Sequence, residues 1–202
     1  MLEKWNERFS EEGYAYGKEP NAFFREEIDK LKPGRLLLVA EGEGRNAVYA
    51  ARQGWQVDCF DYSEAAKEKA LKLAKENNTT INYTVQDLES FSPKEDYYDA
   101  AGIIYMHLPE ELRAEVNRKI ISSLKAGGKL ILEVFEKDQI EKSSGGPKDT
   151  ELLYSLEDIV NEFTDLDFQQ LSKEVIELSE GKYHQGEAVV IRFTGTKERP
   201  EA

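Results

Sequence analysis

Apolar positions along this chain fall into two patterns that alternate. Short runs of Leu, Val, Ile, Tyr and Phe are followed by segments in which apolar residues return every three or four positions. Leu36-Leu37-Leu38-Val39, within a run from Arg35, is unbroken and predicts a strand buried on both faces. Helical spacing over 45–53 comes next, then a strand over 56–60 that closes on Asp61. The following helix carries Ala66, Ala70, Leu73 and Ala74 on one face and lysines on the other, with Ser63 placed to cap it and Asn77-Asn78 to stop it. Strands are expected over 81–85 and 98–106. A helix over 109–124 repeats Leu112, Val116, Ile120 and Leu124, and Lys125-Ala126-Gly127-Gly128 is its stop before a strand over 129–135.

The flanks are different in kind. Trp5, Phe9, Tyr14 and Tyr16 precede a helical pattern opened by Pro20, carrying Phe23, Phe24, Ile28 and Leu31, and closed by Lys32-Pro33-Gly34. Residues 138–150, with Ser143-Ser144-Gly145-Gly146-Pro147, read as a flexible connection long enough to be a functional loop. Ser155 and Asp158 have capping-box spacing ahead of a helix over 156–163. Strand-like runs over 168–178 and 187–194 end the pattern, separated by a turn too short for a parallel crossover, which makes them an antiparallel hairpin. The expectation is an α/β fold in one domain over 1–202: a doubly wound seven-stranded sheet, mostly parallel, with a C-terminal antiparallel hairpin strand. Residues 1–33 form a helical lid segment, 34–196 the core and 197–202 a tail.

Length and charge narrow the possibilities. At 202 residues the chain can build one well-buried core. A net charge of −13 offers no footprint for a phosphate backbone, so no nucleic-acid partner is expected. Cys59, the single cysteine, cannot form an internal disulfide, lies in a predicted strand and reads as a small core residue rather than a reactive thiol, so no oxidising compartment is needed. The first ten positions, with Glu3, Lys4, Glu7 and Arg8 among them, lack the apolar stretch of a secretory signal, and no run of about 18 apolar residues occurs, so a cytoplasmic location without membrane partner is the default.

The turn after the first strand concentrates the candidate chemistry. Gly42 and Gly44 let the backbone bend sharply toward a ligand, and the helix opening near Arg45 has unpartnered first-turn amides. Gly42-x-Gly44-x-x-Ala47 with Asp61 downstream formally fits a dinucleotide fingerprint, so a nicotinamide cofactor is one reading. His107 and His184, the only histidines, could each take a proton from an acceptor, or be hydrogen-bonded structural side chains. Two histidines without nearby cysteines make a poor metal set, and no metal is expected.

The motif Val39-Ala40-Glu41-Gly42-Glu43-Gly44-Arg45-Asn46-Ala47, with Asp61, Gln86-Asp87-Leu88 and Leu124-Lys125-Ala126-Gly127-Gly128-Lys129-Leu130, resembles the class I S-adenosylmethionine-dependent methyltransferases. Trp5-Asn6-Glu7-Arg8-Phe9, Tyr16-Gly17-x-x-Pro20-Asn21 and Gly181-x-x-His184-x-Gly186 are most similar to the small bacterial tellurite-resistance and thiopurine type. The resemblance implies a Rossmann-like core, S-adenosylmethionine as cofactor and a small-molecule methyl acceptor. It implies a cofactor site of Tyr16, Ala40, Glu41, Gly42, Gly44, Asn46, Asp61, Tyr62, Asp87, Leu88 and Tyr105, with Asp61 on the ribose and Asp87 toward the adenine. Tyr105, His107 and His184 are the catalytic candidates. A non-catalytic binding module that uses the same cofactor is the alternative. Ala40-Glu41 departs from the Gly-Cys or Gly-Ala of many relatives and puts the geometry of the turn in question.

Overall fold

The computed structural model describes residues 2–198, with side chains from Trp5 onward. Helices α1 (Leu2–Ser10) and α2 (Ala22–Ile28) precede strand β1 (Arg35–Val39), and α3 (Arg45–Arg52), β2 (Gln56–Asp61), α4 (Glu64–Glu76) and β3 (Asn82–Val85) follow. Then come β4 (Tyr98–Ile104), α5 (Glu110–Ser123), β5 (Leu124–Phe135), α6 (Leu156–Glu162), β6 (Leu166–Glu180) and β7 (His184–Lys197). One sheet of seven strands takes them in the order β3-β2-β1-β4-β5-β7-β6. The pairs up to β5 are parallel, whereas β7 runs antiparallel to both β5 and β6.

Strand periodicity sorts the core into two layers. Leu37 and Val39 join Ala101, Ile103, Leu130 and Leu132 against Val116 and Ile120 of α5 and Ile159 of α6. Leu36 and Leu38 point the other way, to Phe23, Phe24 and Ile28 of α2 and Ala47 and Ala50 of α3. That is why β1 shows no polar alternation. Ser63 caps α4 by accepting from the Ala66 amide, and Ser155 with Asp158 completes the capping box of α6.

Three differences from the sequence pattern have physical causes. Lys125-Ala126-Gly127-Gly128 does not simply end a helix: Leu124 already pairs with Tyr98, and a register shift follows before Lys129 pairs with Ala100. β6 and β7 are longer than their apolar runs, because backbone pairing from Leu166↔Lys197 to Glu180↔His184 continues where side chains turn polar. The expected flexible loop is pinned by one buried glutamine. Gln139 donates Nε2 to Ser144 Oγ (2.9 Å) and to the Gly145 carbonyl (3.0 Å), while its Oε1 accepts from the Val189 amide (2.8 Å). Of the expected tail, Lys197 closes β7 and residues 199–202 lie outside the described residues.

The strand order reverses between β1 and β4, which opens a crevice at their carboxyl ends. The tip of the β6–β7 hairpin reaches over that edge. There the Lys182 amide donates to the Ala15 carbonyl (3.0 Å), and the Tyr183 hydroxyl to Glu11 Oε1 (2.6 Å). No helix among the described residues is long and apolar enough to cross a membrane.

Candidate active site

A cavity of about 480 Å³ occupies the crevice, floored by the carboxyl ends of β1, β2 and β4 and roofed by Trp5, Phe9 and Tyr16 on one side and residues 146–149 on the other. Its volume lies within the range usual for small-molecule and cofactor sites. Arg8, Arg45 and Lys148 share its walls with Glu41, Glu43, Asp61 and Asp149. Arg8 is committed to the roof: its guanidinium lies between the Trp5 ring (4.7 Å) and the Tyr183 ring (4.3 Å) and donates to the Tyr16 hydroxyl (2.8 Å). Tyr14, another roof candidate, instead packs beside α4 and donates to the Lys69 carbonyl (3.1 Å).

The β1–α3 turn answers the question raised by Ala40-Glu41. Ala40 sits at φ 50°, a left-handed conformation that costs a residue with a Cβ about 1–2 kcal/mol and that glycine adopts freely. Tyr105, at the end of the neighbouring strand, is strained in the same way at φ 55°. Glu41 turns back onto its own helix, where Oε1 accepts from the Ala47 amide (2.7 Å) and Oε2 from Asn46 Nδ2 (3.4 Å). The chain thus places its own carboxylate at the start of α3, among the amides expected to hold a ligand's negative charge. Burial raises the Glu41 pKa to about 7.

Gly42 lines the cavity, but its amide is already taken, donating to Asp61 Oδ2 (3.2 Å). Gly44 is not on the cavity wall. It sits at φ 82°, and a Cβ there would come within 2.6 Å of the Ala70 Cβ, so this glycine lets α3 and α4 pack closely and has no ligand face.

Asp61 ends β2 inside the cavity and is 7% exposed. Its Oδ1 accepts from the Ser63 amide (3.1 Å) and its Oδ2 from Gly42, so each oxygen keeps acceptor capacity for a further donor. Burial raises its pKa to about 6. Tyr62, Leu88 and Asn46 also line the cavity; Asn46 Oδ1 accepts from the Asn21 amide (2.9 Å). Asp87 does not. It is exposed, and its carboxylate closes a turn by accepting from the Ser90 amide (2.6 Å).

The catalytic candidates separate sharply. His107 Nδ1 lies 2.8 Å from the Leu152 carbonyl, which can only accept, so Nδ1 carries the hydrogen and Nε2 accepts from the Phe135 amide (3.3 Å). With both nitrogens spent on backbone and burial lowering its pKa to about 4, His107 is a structural tie and no proton acceptor. The Tyr105 hydroxyl donates to Glu133 Oε1 (2.6 Å), and burial holds its pKa well above the usual phenol value, so Tyr105 is an aromatic wall. His184 is different. Its Nδ1 donates to Glu180 Oε2 (3.0 Å), and its Nε2 has no protein partner among the described residues.

Glu180, Arg45 and Glu133 escaped the sequence pattern. Arg45 Nη2 donates to Glu180 Oε2 (3.0 Å). Burial would raise the Glu180 pKa, but His184 and Arg45 outweigh it and hold it near 2. Glu133, 1% exposed on β5, accepts from Tyr105, from Asn21 Nδ2 (2.7 Å) and from Arg192 Nε (2.7 Å). The one available signal was an acidic residue within an otherwise apolar strand, Leu130 to Phe135.

Residues 36–128 match the family model described as a methyltransferase domain. No curated protein matches the chain. Among solved structures, one reported for the conversion of a disulfide bond into a thioacetal group during echinomycin biosynthesis is 14% identical, with a TM-score of 0.78, covering 100% of this chain and 93% of that one. TehB from Haemophilus influenzae is 16% identical with a TM-score of 0.74, over 89% of this chain and 63% of that one. The N-methyltransferase NodS from Bradyrhizobium japonicum WM9, in complex with S-adenosyl-L-homocysteine, is 13% identical with a TM-score of 0.68, over 99% and 98%. These likenesses show a shared fold. The family match runs from β1 through the glycine turn and Asp61 into β5, so the segment 36–128 is similar to a methyltransferase domain.

Proposed function

We propose that the chain transfers a methyl group from S-adenosylmethionine to a small-molecule acceptor held in the same cavity. The observation that carries this reading is Asp61. A buried carboxylate whose oxygens each have one amide partner and spare acceptor capacity, beside the glycine turn, suits the two hydroxyls of a ribose. Tyr62 and Leu88 would flank the adenine, and the Leu88 amide could serve a ring nitrogen. The Glu41 carboxylate suits the α-ammonium of the methionine part better than its carboxylate. When bound, S-adenosylmethionine supplies a methyl group already activated on a sulfonium sulfur.

Little covalent chemistry then remains for the protein. Its walls hold acceptor and methyl carbon in near-attack geometry, an arrangement worth up to about 7–11 kcal/mol of a barrier. The roof built by α1, Tyr16 and residues 146–149 favours acceptors small enough to be enclosed. The likeness in fold to TehB and the Gly181-x-x-His184-x-Gly186 pattern support a place near the tellurite-resistance and thiopurine type.

Thermal unfolding with S-adenosylhomocysteine or NADH tests the cofactor, because a ligand selective for the native state raises its apparent stability. Stabilisation by the former alone is expected; stabilisation by NADH alone would overturn the reading. Labelled methyl transfer to a panel of thiol, phenol, amine, selenium and tellurium acceptors tests turnover. Binding without transfer to any of them would make the chain a cofactor-binding module.

A further inference from the structure

We propose that His184, held by Glu180, is the general base of the reaction and that the acceptor is an uncharged aromatic hydroxyl compound. This rests on the methyl-transfer reading above. The Glu180 carboxylate can only accept, so Nδ1 of His184 carries the hydrogen and the lone pair is left on Nε2, which no protein group occupies among the described residues. His184 is 5% exposed yet lines the cavity, so its open nitrogen serves the cavity and not bulk solvent. It is the one histidine with that freedom, since both nitrogens of His107 are bound to backbone.

The surroundings select the acceptor. The imidazole is enclosed by the rings of Tyr16 (4.4 Å between centroids), Tyr105 (4.8 Å) and Phe135 (5.4 Å), walls that accept a flat apolar body. Of the guanidinium groups nearest the imidazole, Arg45 is paired with Glu180 and Arg192 with both Glu133 and Glu174, while Arg8 is held between the Trp5 and Tyr183 rings and donates to the Tyr16 hydroxyl, so each is already engaged. A neutral nucleophile must lose its proton, and a phenol, with an ordinary pKa near 10, lies within reach of an imidazole base. In the step, the phenol oxygen bonds to the methyl carbon, its proton passes to His184 Nε2, and the electrons of the broken C–S bond remain on sulfur as a neutral thioether. Gly145 leaves room for the ring edge that carries Nε2: a Cβ there would lie 2.6 Å from His184 Cδ2 and 3.2 Å from Nε2. The charged and titratable groups around His184 are Glu180 on β6, Arg45 on α3, Arg8 on α1, Tyr16, Tyr105 and, further along the cavity wall, His107.

The test uses para-substituted phenols of graded acidity, with selenite, tellurite and an alkyl thiol as comparison acceptors. His184→Ala is expected to lower kcat/KM for phenols by about 10²–10⁴, most for the least acidic, with S-adenosylhomocysteine affinity unchanged and partial rescue by added imidazole. Glu180→Gln removes the anion that favours the imidazolium, so the rising limb of the pH profile should move to lower pH, a shift that mere loss of packing would not give. A readout independent of turnover comes from NMR: the chain has two histidines, and binding of a phenol to the S-adenosylhomocysteine complex should perturb the His184 imidazole and spare His107. Methylation of the oxyanions or the thiol but of no phenol, or phenol rates indifferent to His184→Ala, would overturn the proposal while leaving the cofactor reading intact. Failure of S-adenosylhomocysteine to bind would remove the cofactor reading itself, and this proposal with it.

Discussion

Replacing Asp61 by asparagine perturbs the group on which cofactor recognition is argued to turn, with little change in shape. Each oxygen of the wild-type carboxylate has one amide donor and room for another, so two ribose hydroxyls can bind an ionised acceptor. Charge-assisted hydrogen bonds contribute about 1.5–3 kcal/mol each, and the uncharged amide should keep part of that, leaving a net loss of about 1–3 kcal/mol. The dissociation constant of S-adenosylhomocysteine should therefore rise by about 5- to 150-fold at pH 7.5, measured by calorimetry. Unfolding of the free variant, followed in parallel, shows how much of any change comes from the amides of Gly42 and Ser63.

The pH dependence makes the prediction sharper. Burial raises the Asp61 pKa from 3.8 to about 6, so the folded protein without ligand holds this proton more tightly than the unfolded chain. Its favourable contribution to folding, about 3 kcal/mol from a shift near two units, is complete below about pH 4 and is lost as pH rises through about 6. Ligand hydroxyls favour the opposite, ionised form. Wild-type affinity should thus fall as pH drops below about 6, while Asp61→Asn lacks that titration, and the ratio of the two dissociation constants should shrink toward one near pH 5. Glu41, with its pKa raised to about 7, titrates in both proteins and cancels in the ratio. A ratio near one at pH 7.5, or a large ratio that does not change with pH, would refute the reasoning.

Other outcomes follow from packing. Ala40→Gly relieves a left-handed φ of 50° at the cost of added chain entropy, and thermal denaturation should show a net gain of about 0.5–1 kcal/mol. Gly44→Ala should destabilise by about 2–4 kcal/mol, since its new Cβ meets Ala70 and its φ stays positive; Ala70→Gly should recover part of the loss, giving a non-additive double-mutant cycle in urea. Arg113, 2% exposed, donates to Glu162 through Nε (2.8 Å) and Nη2 (2.6 Å). Arg113→Met leaves Glu162 without this partner and should cost about 3 kcal/mol in urea denaturation, with S-adenosylhomocysteine affinity unchanged.

The candidate site was partly visible in the residue pattern, and its two halves differ in a telling way. The glycine turn, Asp61 and Tyr62 are local to β1, β2 and the loops that leave them, so spacing along the chain brings them together. Glu41 shows the limit even there: its place in the motif was legible, but not that its carboxylate would fold back onto the Ala47 amide. The two histidines looked alike as letters. Only packing separates them, because the Leu152 carbonyl and the Phe135 amide close off His107, whereas Glu180 takes one nitrogen of His184 and leaves the other open.

The alternation of fully apolar runs with helical spacings determined the parallel core, since a strand covered on both faces has no polar side to show. The brevity of the last turn, with the strand pattern on either side, determined the antiparallel hairpin. Tertiary structure decided what those patterns do not encode: where the hairpin tip lands, that the loop before α6 is tied down by Gln139, and that Arg45 and Glu180 meet although 135 positions separate them. The physical reason is one of range. Period and turn chemistry act over a few residues, whereas the ionic partners of a buried group are chosen by the fold as a whole, which must find a partner for each charge it removes from water.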